Sequence, residues 1–222
     1  MDAQIINITK SYKKKMILDR VSLPVAAGTC TGILGSNGCG KSTLLSILGG
    51  TLKCDEGNFL YQGQDLLSDR KKHRQLVGYV PQEPPLLAEL TAADNLRLWY
   101  EKKDMEAALY DGVLAMLGID GFLKVPVTKM SGGMKKRLAI GCAVAGGPKI
   151  LLLDEPSAAL DLPCRERILN YIKEFKRGGG AVLLATHDVQ ERSLCENSYI
   201  LKEGKLHPYR FDGNIHKLVG QL

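Results

Sequence analysis

The chain has 222 residues, 45% hydrophobic and 24% charged, an ordinary globular balance that excludes collagen, coiled-coil rods and intrinsic disorder. A chain of this length buries roughly 70% of the surface it exposes when unfolded, enough for a core without disulfide or metal staples. The formal net charge of +6 is only mildly basic, so it does not choose between nucleotide, anionic lipid and nucleic acid as a partner.

No apolar run approaches the roughly 18–20 residues needed to cross a bilayer, and residues 1–9 lack the basic start and apolar stretch of a secretory leader. A cytosolic protein is therefore expected. The six cysteines, Cys30, Cys39, Cys54, Cys142, Cys164 and Cys195, form no C-x-x-C pair and read as reduced core or loop residues. The lysine and arginine runs at 13–15, 70–74 and 135–137 read as solvated faces. Glycine is enriched, at 24 residues against about 7% in an average protein, and it clusters.

In chain order, residues 5–9, 17–23 and 28–34 read as short strands rich in β-branched and aliphatic side chains. A helix over 42–48 stops at Gly49-Gly50. Strands follow at 58–61 and 76–80. Thr91 with Asp94 three residues on makes a capping box, and the apolar spacing from Leu96 to Leu117 predicts a mainly helical segment ending near Gly118. Another helix is expected from Ser131 to about Ala145. Residues 150–153 and 181–185 are continuous apolar runs, the mark of strands covered on both faces, with an amphipathic helix at 165–175 between them. A short helix and a hairpin around Glu203-Gly204 complete the pattern. Buried strands alternating with helices predict an α/β domain with a parallel core sheet, an N-terminal antiparallel layer and an inserted helical subdomain. The expected division is a core at about 1–84 and 148–205, a helical subdomain at about 85–147, and a tail at 206–222.

Gly35-Ser36-Asn37-Gly38-Cys39-Gly40-Lys41-Ser42-Thr43 fits G-x-x-x-x-G-K-[ST] and lies where the mechanism requires, between an apolar strand and a helix. Its glycines let the chain wrap closely, so that backbone N–H groups point at phosphate oxygens, and the helix start adds its positive end. Lys41 is placed to reach the β- and γ-phosphates, and the Ser42 hydroxyl to ligate Mg²⁺. The second element is Ile150-Leu151-Leu152-Leu153-Asp154-Glu155-Pro156. A buried strand ending in two carboxylates delivers charge to the carboxyl edge of a sheet, where open α/β folds bind ligands. Asp154 can hold the metal, directly or through water, and Glu155 can orient or deprotonate an attacking water. Ser131-Gly132-Gly133 offers an N-cap followed by exposed backbone donors, a second anion site.

With Met130-Ser131-Gly132-Gly133-Met134 between the glycine loop and the carboxylate strand, the chain resembles the ATP-binding cassette (ABC) ATPases, with a P-loop NTPase (RecA-like) core. Further matches are Gln82 in Tyr79-Val80-Pro81-Gln82, the run Ser157-Ala158-Ala159-Leu160-Asp161, and His187 in Ala185-Thr186-His187-Asp188. Together they span residues 3–205. The resemblance implies that Gln82 senses Mg²⁺ and the attacking water, that His187 contacts the γ-phosphate, that Asp161 lies at a dimer seam, and that Tyr12 stacks on adenine. It also implies a head-to-tail dimer of two copies, with Ser131, Gly132 and Gly133 of one facing the ATP held by the glycine loop of the other. The family's usual signature begins with Leu and carries Gln after its two glycines; Met130 and Met134 stand there instead. That variant is similar to the exporter branch handling drugs, lipids or polysaccharides.

The expected activity is thus ATP hydrolysis coupled to transport by a separate transmembrane permease, with export favoured over import. ATP and Mg²⁺ are the expected cofactors and no nucleic-acid partner is expected. Residues 83–90 read equally as a docking segment, which would hold the protein on the cytoplasmic face of the membrane, and as packing of the helical insert against the core. The alternative is a soluble ABC ATPase acting on nucleic acid, ribosomes or cluster assembly. Against it, only about ninety residues separate Lys41 from Ser131, too few for the long coiled coil of repair members, and no sustained heptad occurs.

Overall fold

The structure is a computed structural model that describes residues 2–13, 15–158, 160–186 and 188–210. His187 and residues 211–222 lie outside the described residues. The chain begins with strands β1 (Asp2–Tyr12) and β2 (Lys15–Ala26), an antiparallel pair. In β2, Val21, Leu23 and Val25 are buried while Ser22, Pro24 and Ala26 are exposed, the period-two pattern of a sheet with one covered face. Strand β3 (Cys30–Leu34) is buried at every position and leads into helix α1 (Lys41–Leu48). Strands β4 (Glu56–Tyr61) and β5 (Gln64–Asp65) return to the first pair, giving an antiparallel sheet in the order β2-β1-β4-β5.

Helix α2 (Arg70–Leu76) is built from the basic run at 70–74 and was not anticipated, because it has no apolar periodicity. Its start is fixed by Asp69, whose Oδ1 accepts from the N–H groups of Lys71 and Lys72 at 3.1 and 3.0 Å, satisfying donors that a helix leaves free. Strand β6 (Val77–Val80) follows. The next segment contains α3 (Ala92–Arg97), α4 (Lys102–Tyr110) and α5 (Val113–Met116). The apolar spacing predicts a more continuous helical stretch than the one that forms. The breaks come where Glu101 and Gly112 take extended backbone as N-caps, and a Cβ at Gly112 would sit 2.8 Å from the Ala108 Cα. Thr91 and Asp94 do form the capping box that starts α3.

Helix α6 (Gly132–Ala143) leads to β7 (Ile150–Asp154), and α7 (Leu162–Arg177) to β8 (Ala181–Ala185). A short α8 (Val189–Arg192) and a hairpin of β9 (Asn197–Lys202) and β10 (Lys205–Pro208) complete the described chain. The second sheet runs β10-β9-β3-β8-β7-β6, parallel from β9 to β6. Both of its faces are covered. Ile150, Leu152, Ala181 and Leu183 pack with α1 and the antiparallel sheet, whereas Leu151, Leu153, Val182 and Leu184 pack with α6, α7 and the helical segment. Continuous apolar strands are what such two-sided burial requires.

Register decides where chemistry can occur. Val80 pairs with Leu153, Asp154 with Ala185, and Ile33 also with Ala185. The carboxyl ends of β3, β6, β7 and β8 are therefore level along one edge, and the chain leaving each emerges beside the others.

Candidate functional site

A cleft of about 440 Å³ opens at that edge. It is lined by Tyr12, Ile17, Asn37, Gly38, Gly40, Lys41, Ser42, Thr43, Gln82 and Glu155. The loop after β3 forms its floor. Gly40 has φ +116°, and a Cβ there would lie 3.2 Å from the Ile17 carbonyl oxygen, so both conformation and space demand glycine at the entry to α1. Gly35 is also confined, because a Cβ would meet Cys39 Sγ at 2.5 Å. Ser36 is exposed, and Cys39 is half-buried outside the cleft lining.

Lys41 is buried, and its Nζ donates to the carbonyl oxygens of Gly35 at 2.7 Å and Ser36 at 3.1 Å. The loop thus holds its own ammonium at the start of α1, where the helix end is already positive. The ammonium and the positive helix end meet there, an arrangement suited to a polyphosphate.

The opposite wall comes from β6 and β7. Gln82 Nε2 donates to Glu155 Oε2 at 3.2 Å. Glu155 has φ +46°, left-handed backbone that costs a non-glycine residue about 1–3 kcal/mol and is characteristic of functional positions. Its N–H donates to Ala185 O at 2.9 Å, which fastens the turn to the neighbouring strand while the side chain lines the cleft.

Asp154 is 1% exposed, and its Oδ1 has no hydrogen-bond partner among the described residues. Burial raises its pKa; interaction with the Ser42 hydroxyl pulls it down, Glu155 raises it, and Lys136 and Lys41 lower it. An unpartnered buried carboxylate oxygen is costly. A divalent cation would relieve that cost, and Asp154, Ser42 and Gln82 offer the hard oxygen donors Mg²⁺ takes. No group of three His, Cys, Asp or Glu among the described residues could hold a metal by itself.

Ser131 caps α6 by accepting from the Met134 N–H at 3.2 Å. Gly133 is closely packed there, since a Cβ would approach Cys164 Sγ to 2.7 Å and force it to shift. Ser131 and Gly132 are exposed, and neither lines the cleft. Asp161 is likewise outside it: its Oδ1 accepts from the Cys164 N–H at 2.8 Å and caps α7. Tyr12 stands at the cleft rim, 48% exposed, with Lys10 Nζ 5.7 Å from its ring centroid.

Sequence reasoning missed Lys136. Placed among solvated charges, it is 6% exposed and packed behind the cleft, with its pKa lowered by burial despite the nearby Asp154, Glu191 and Glu155 carboxylates. Only its position at a buried turn of α6 could have signalled this. The six cysteines are free, three of them buried and three half-buried.

The chain matches the family model described as ABC transporter over residues 18–158. It is 32% identical over 98% of its length to Nod factor export ATP-binding protein I of Sinorhizobium fredii, covering 64% of that protein. It is 32% identical to the lipopolysaccharide export system ATP-binding protein LptB of Acidithiobacillus ferridurans, covering 91% of this chain and 87% of that one. It is 33% identical to a probable sulfate/thiosulfate import ATP-binding protein CysA of Chlorella vulgaris, covering 93% and 89%. Among solved structures, an ATP binding subunit of an ABC transporter superposes with a TM-score of 0.85 at 26% identity, covering 99% of this chain and 94% of that one. A dimeric ATP-binding cassette in a post-hydrolysis state, bound to ADP and Pi, gives 0.85 at 28% identity, covering 96% and 100%. The fold over nearly the whole chain agrees with these solved structures, and the chain belongs to the ABC transporter family, whose matched relatives are ATP-binding proteins.

Proposed function

We propose that two copies of this chain clasp ATP between them and hydrolyse it to power transport by a separate transmembrane partner. The observation that carries this reading is the unequal pair of helix starts. The start of α1 has a lysine, a hydroxyl, an amide and a carboxylate gathered in one cleft. The start of α6 offers a capped but exposed end with no such surroundings. A two-fold arrangement that faces the second against the first completes two identical sites at once. The dimeric relative bound to ADP and Pi supports such a pairing.

In each site the loop amides and Lys41 bind the phosphates, and Tyr12 at the rim packs on the base. Glu155 holds and deprotonates the attacking water, with Gln82 fixing its carboxylate. Mg²⁺ held by Ser42, Asp154 and Gln82 would supply neutralisation of phosphate charge. Ser131 and the N–H groups of Gly132 and Gly133 bind the γ-phosphate from the other copy. His187, from the sequence pattern, contacts the same phosphate, and Asp161 lies at the seam. ATP favours the closed pair by its larger affinity for that state, and loss of the γ-phosphate removes the difference.

The transmembrane partner docks on the helical unit, residues 85–147, beside the segment after Gln82. Asn95 pins that segment, accepting from Leu87 N–H at 2.9 Å and donating to Leu87 O at 3.2 Å. Leu87, Leu90, Leu98 and Trp99 are exposed nearby in sequence, Trp99 by 64%. No described helix is long and apolar enough to cross a membrane, so the span comes from another segment or chain. Export is the favoured direction: Met134 follows the exporter pattern and two of the relatives above are named for export.

The test is ATP hydrolysis by the purified chain together with isolation of the tagged native protein from membranes. Mg-ATP turnover and a multi-span membrane protein in stoichiometric yield are expected. No turnover, or recovery with ribosomes or DNA in place of a membrane protein, would overturn the proposal.

A further inference from the structure

Helix α6 carries two adjacent cations that point to different parts of the molecule. Arg137 Nη1 donates to the carbonyl oxygens of Leu117 at 2.7 Å and Gly118 at 3.3 Å, and its guanidinium lies 5.0 Å from the Phe122 ring centroid. It fastens α6 to the helical segment. Lys136 Nζ donates to Gln82 O at 2.9 Å, Pro81 O at 3.1 Å and Asp154 O at 3.4 Å. An ammonium has three donors, and here three carbonyls from two different strand ends receive them.

The placement of those carbonyls gives the bond its meaning. One belongs to Asp154, whose side chain is buried at the cleft, and another to Gln82, whose amide holds Glu155. Lys136 is one helical turn beyond Gly132, the first residue of α6. A side chain buried in this way has few rotamers and transmits displacement, because packed interiors do not deform smoothly. None of the cleft-lining residues is Lys136, so it acts through others.

We propose that Lys136 is a positioning residue for hydrolysis, locking the Gln82 backbone and the end of β7 to the helix that starts at Ser131. It rests on the hydrolytic reading given above. Nucleotide capture by the glycine loop does not need this lock. Alignment of Gln82, Glu155 and Asp154 does, and so does its coupling to whatever engages the α6 N-terminus. Removing the amine leaves three carbonyls, one buried and two part-buried, without their lysine donor, which loosens the segment even where the fold persists.

The test compares Lys136→Met, Lys136→Arg and wild type by ATP calorimetry, steady-state turnover, thermal melting and amide exchange. Lys136→Met is expected to keep ATP affinity within about threefold, to lower kcat by about tenfold or more, and to speed exchange at Gln82 and Glu83 but not in α1. Lys136→Arg, which keeps charge and donors, should recover much of kcat. Should Lys136→Met lose its cooperative melt, the same split is read on Lys136→Gln, whose amide can serve two of the three carbonyls. Wild-type kcat in the folded methionine or glutamine variant, an equal loss of affinity and kcat, or an arginine variant as defective as methionine at unchanged melting temperature would each overturn the proposal. Absence of turnover in wild type would instead remove the hydrolytic reading itself.

Discussion

The starts of α1 and α6 obey the same rule and end up in opposite circumstances. Each offers free backbone donors and a positive helix end, and each depends on glycines. The first lies under a lysine held by two loop carbonyls, beside a buried aspartate and a glutamate in strained backbone. The second is capped by a serine and left on the surface. The difference teaches that two helix starts with the same backbone chemistry are equipped unequally: the lysine, glutamine and glutamate all gather at the first, and none lies at the second. On the proposed reading, the first end holds the polyphosphate within one chain and the second meets it from the other copy.

Substitutions at the two ends should therefore fail differently. Lys41→Ala is expected to cut turnover by about a thousandfold and ATP affinity by about a hundredfold, because the charge facing the phosphates is lost. Calorimetry with ATP checks the second figure. Glu155→Gln should also lower turnover by about a thousandfold, yet with ATP affinity retained and an ATP-dependent dimer accumulating in light scattering. Ser131→Arg places bulk and charge on the exposed end; turnover should fall about a hundredfold with ATP affinity within about threefold of wild type. Parallel losses of affinity in the Lys41 and Ser131 variants would erase the distinction between the two ends.

Much of the first end was legible in the sequence because it is local. Residues 35–43 fit one continuous pattern, and Asp154 and Glu155 end a single apolar run, so no long-range information was needed. The sheet edge that gathers them was also readable, since continuous apolar strands imply two-sided burial. What escaped depends on tertiary placement. Lys136 and Lys135 are neighbours in one basic run, yet the first is buried and the second half-exposed. His73, in another such run, is buried with its Nε2 2.7 Å from Leu48 O. Glu191 is buried too, its Oε1 accepting from Ser157 N–H at 2.8 Å and Ser157 Oγ–H at 2.5 Å. Charge in a sequence carries no label for the side of a helix that packs. In the helical segment, apolar spacing implied more continuity than forms, because exposed Leu98 and Trp99 kept the period without sharing a buried face.

A smaller effect concerns stability. Burial holds the Asp154 pKa above the ordinary carboxylate value. A raised folded-state pKa means that ionisation is disfavoured in the fold. The related stability is fully present below the unfolded pKa, near 3.9, and is lost as pH rises through the raised folded value. Asp154→Asn should accordingly stabilise the nucleotide-free protein at neutral pH by roughly 0.5–2 kcal/mol while abolishing the Mg²⁺ dependence of ATP binding. The gain should shrink as pH falls towards that lower limit. Thermal melts between about pH 4 and 8 check both sign and window.

The central claim is that each site is shared between two chains, and mixing tests it most directly. Lys41→Ala and Ser131→Arg proteins should each be nearly inactive alone. Combined in equal amounts with Mg-ATP, half of the dimers carry one intact site built from the good loop of one and the good helix start of the other, so about a quarter of wild-type turnover should return. A mixture no more active than its two components would contradict the account.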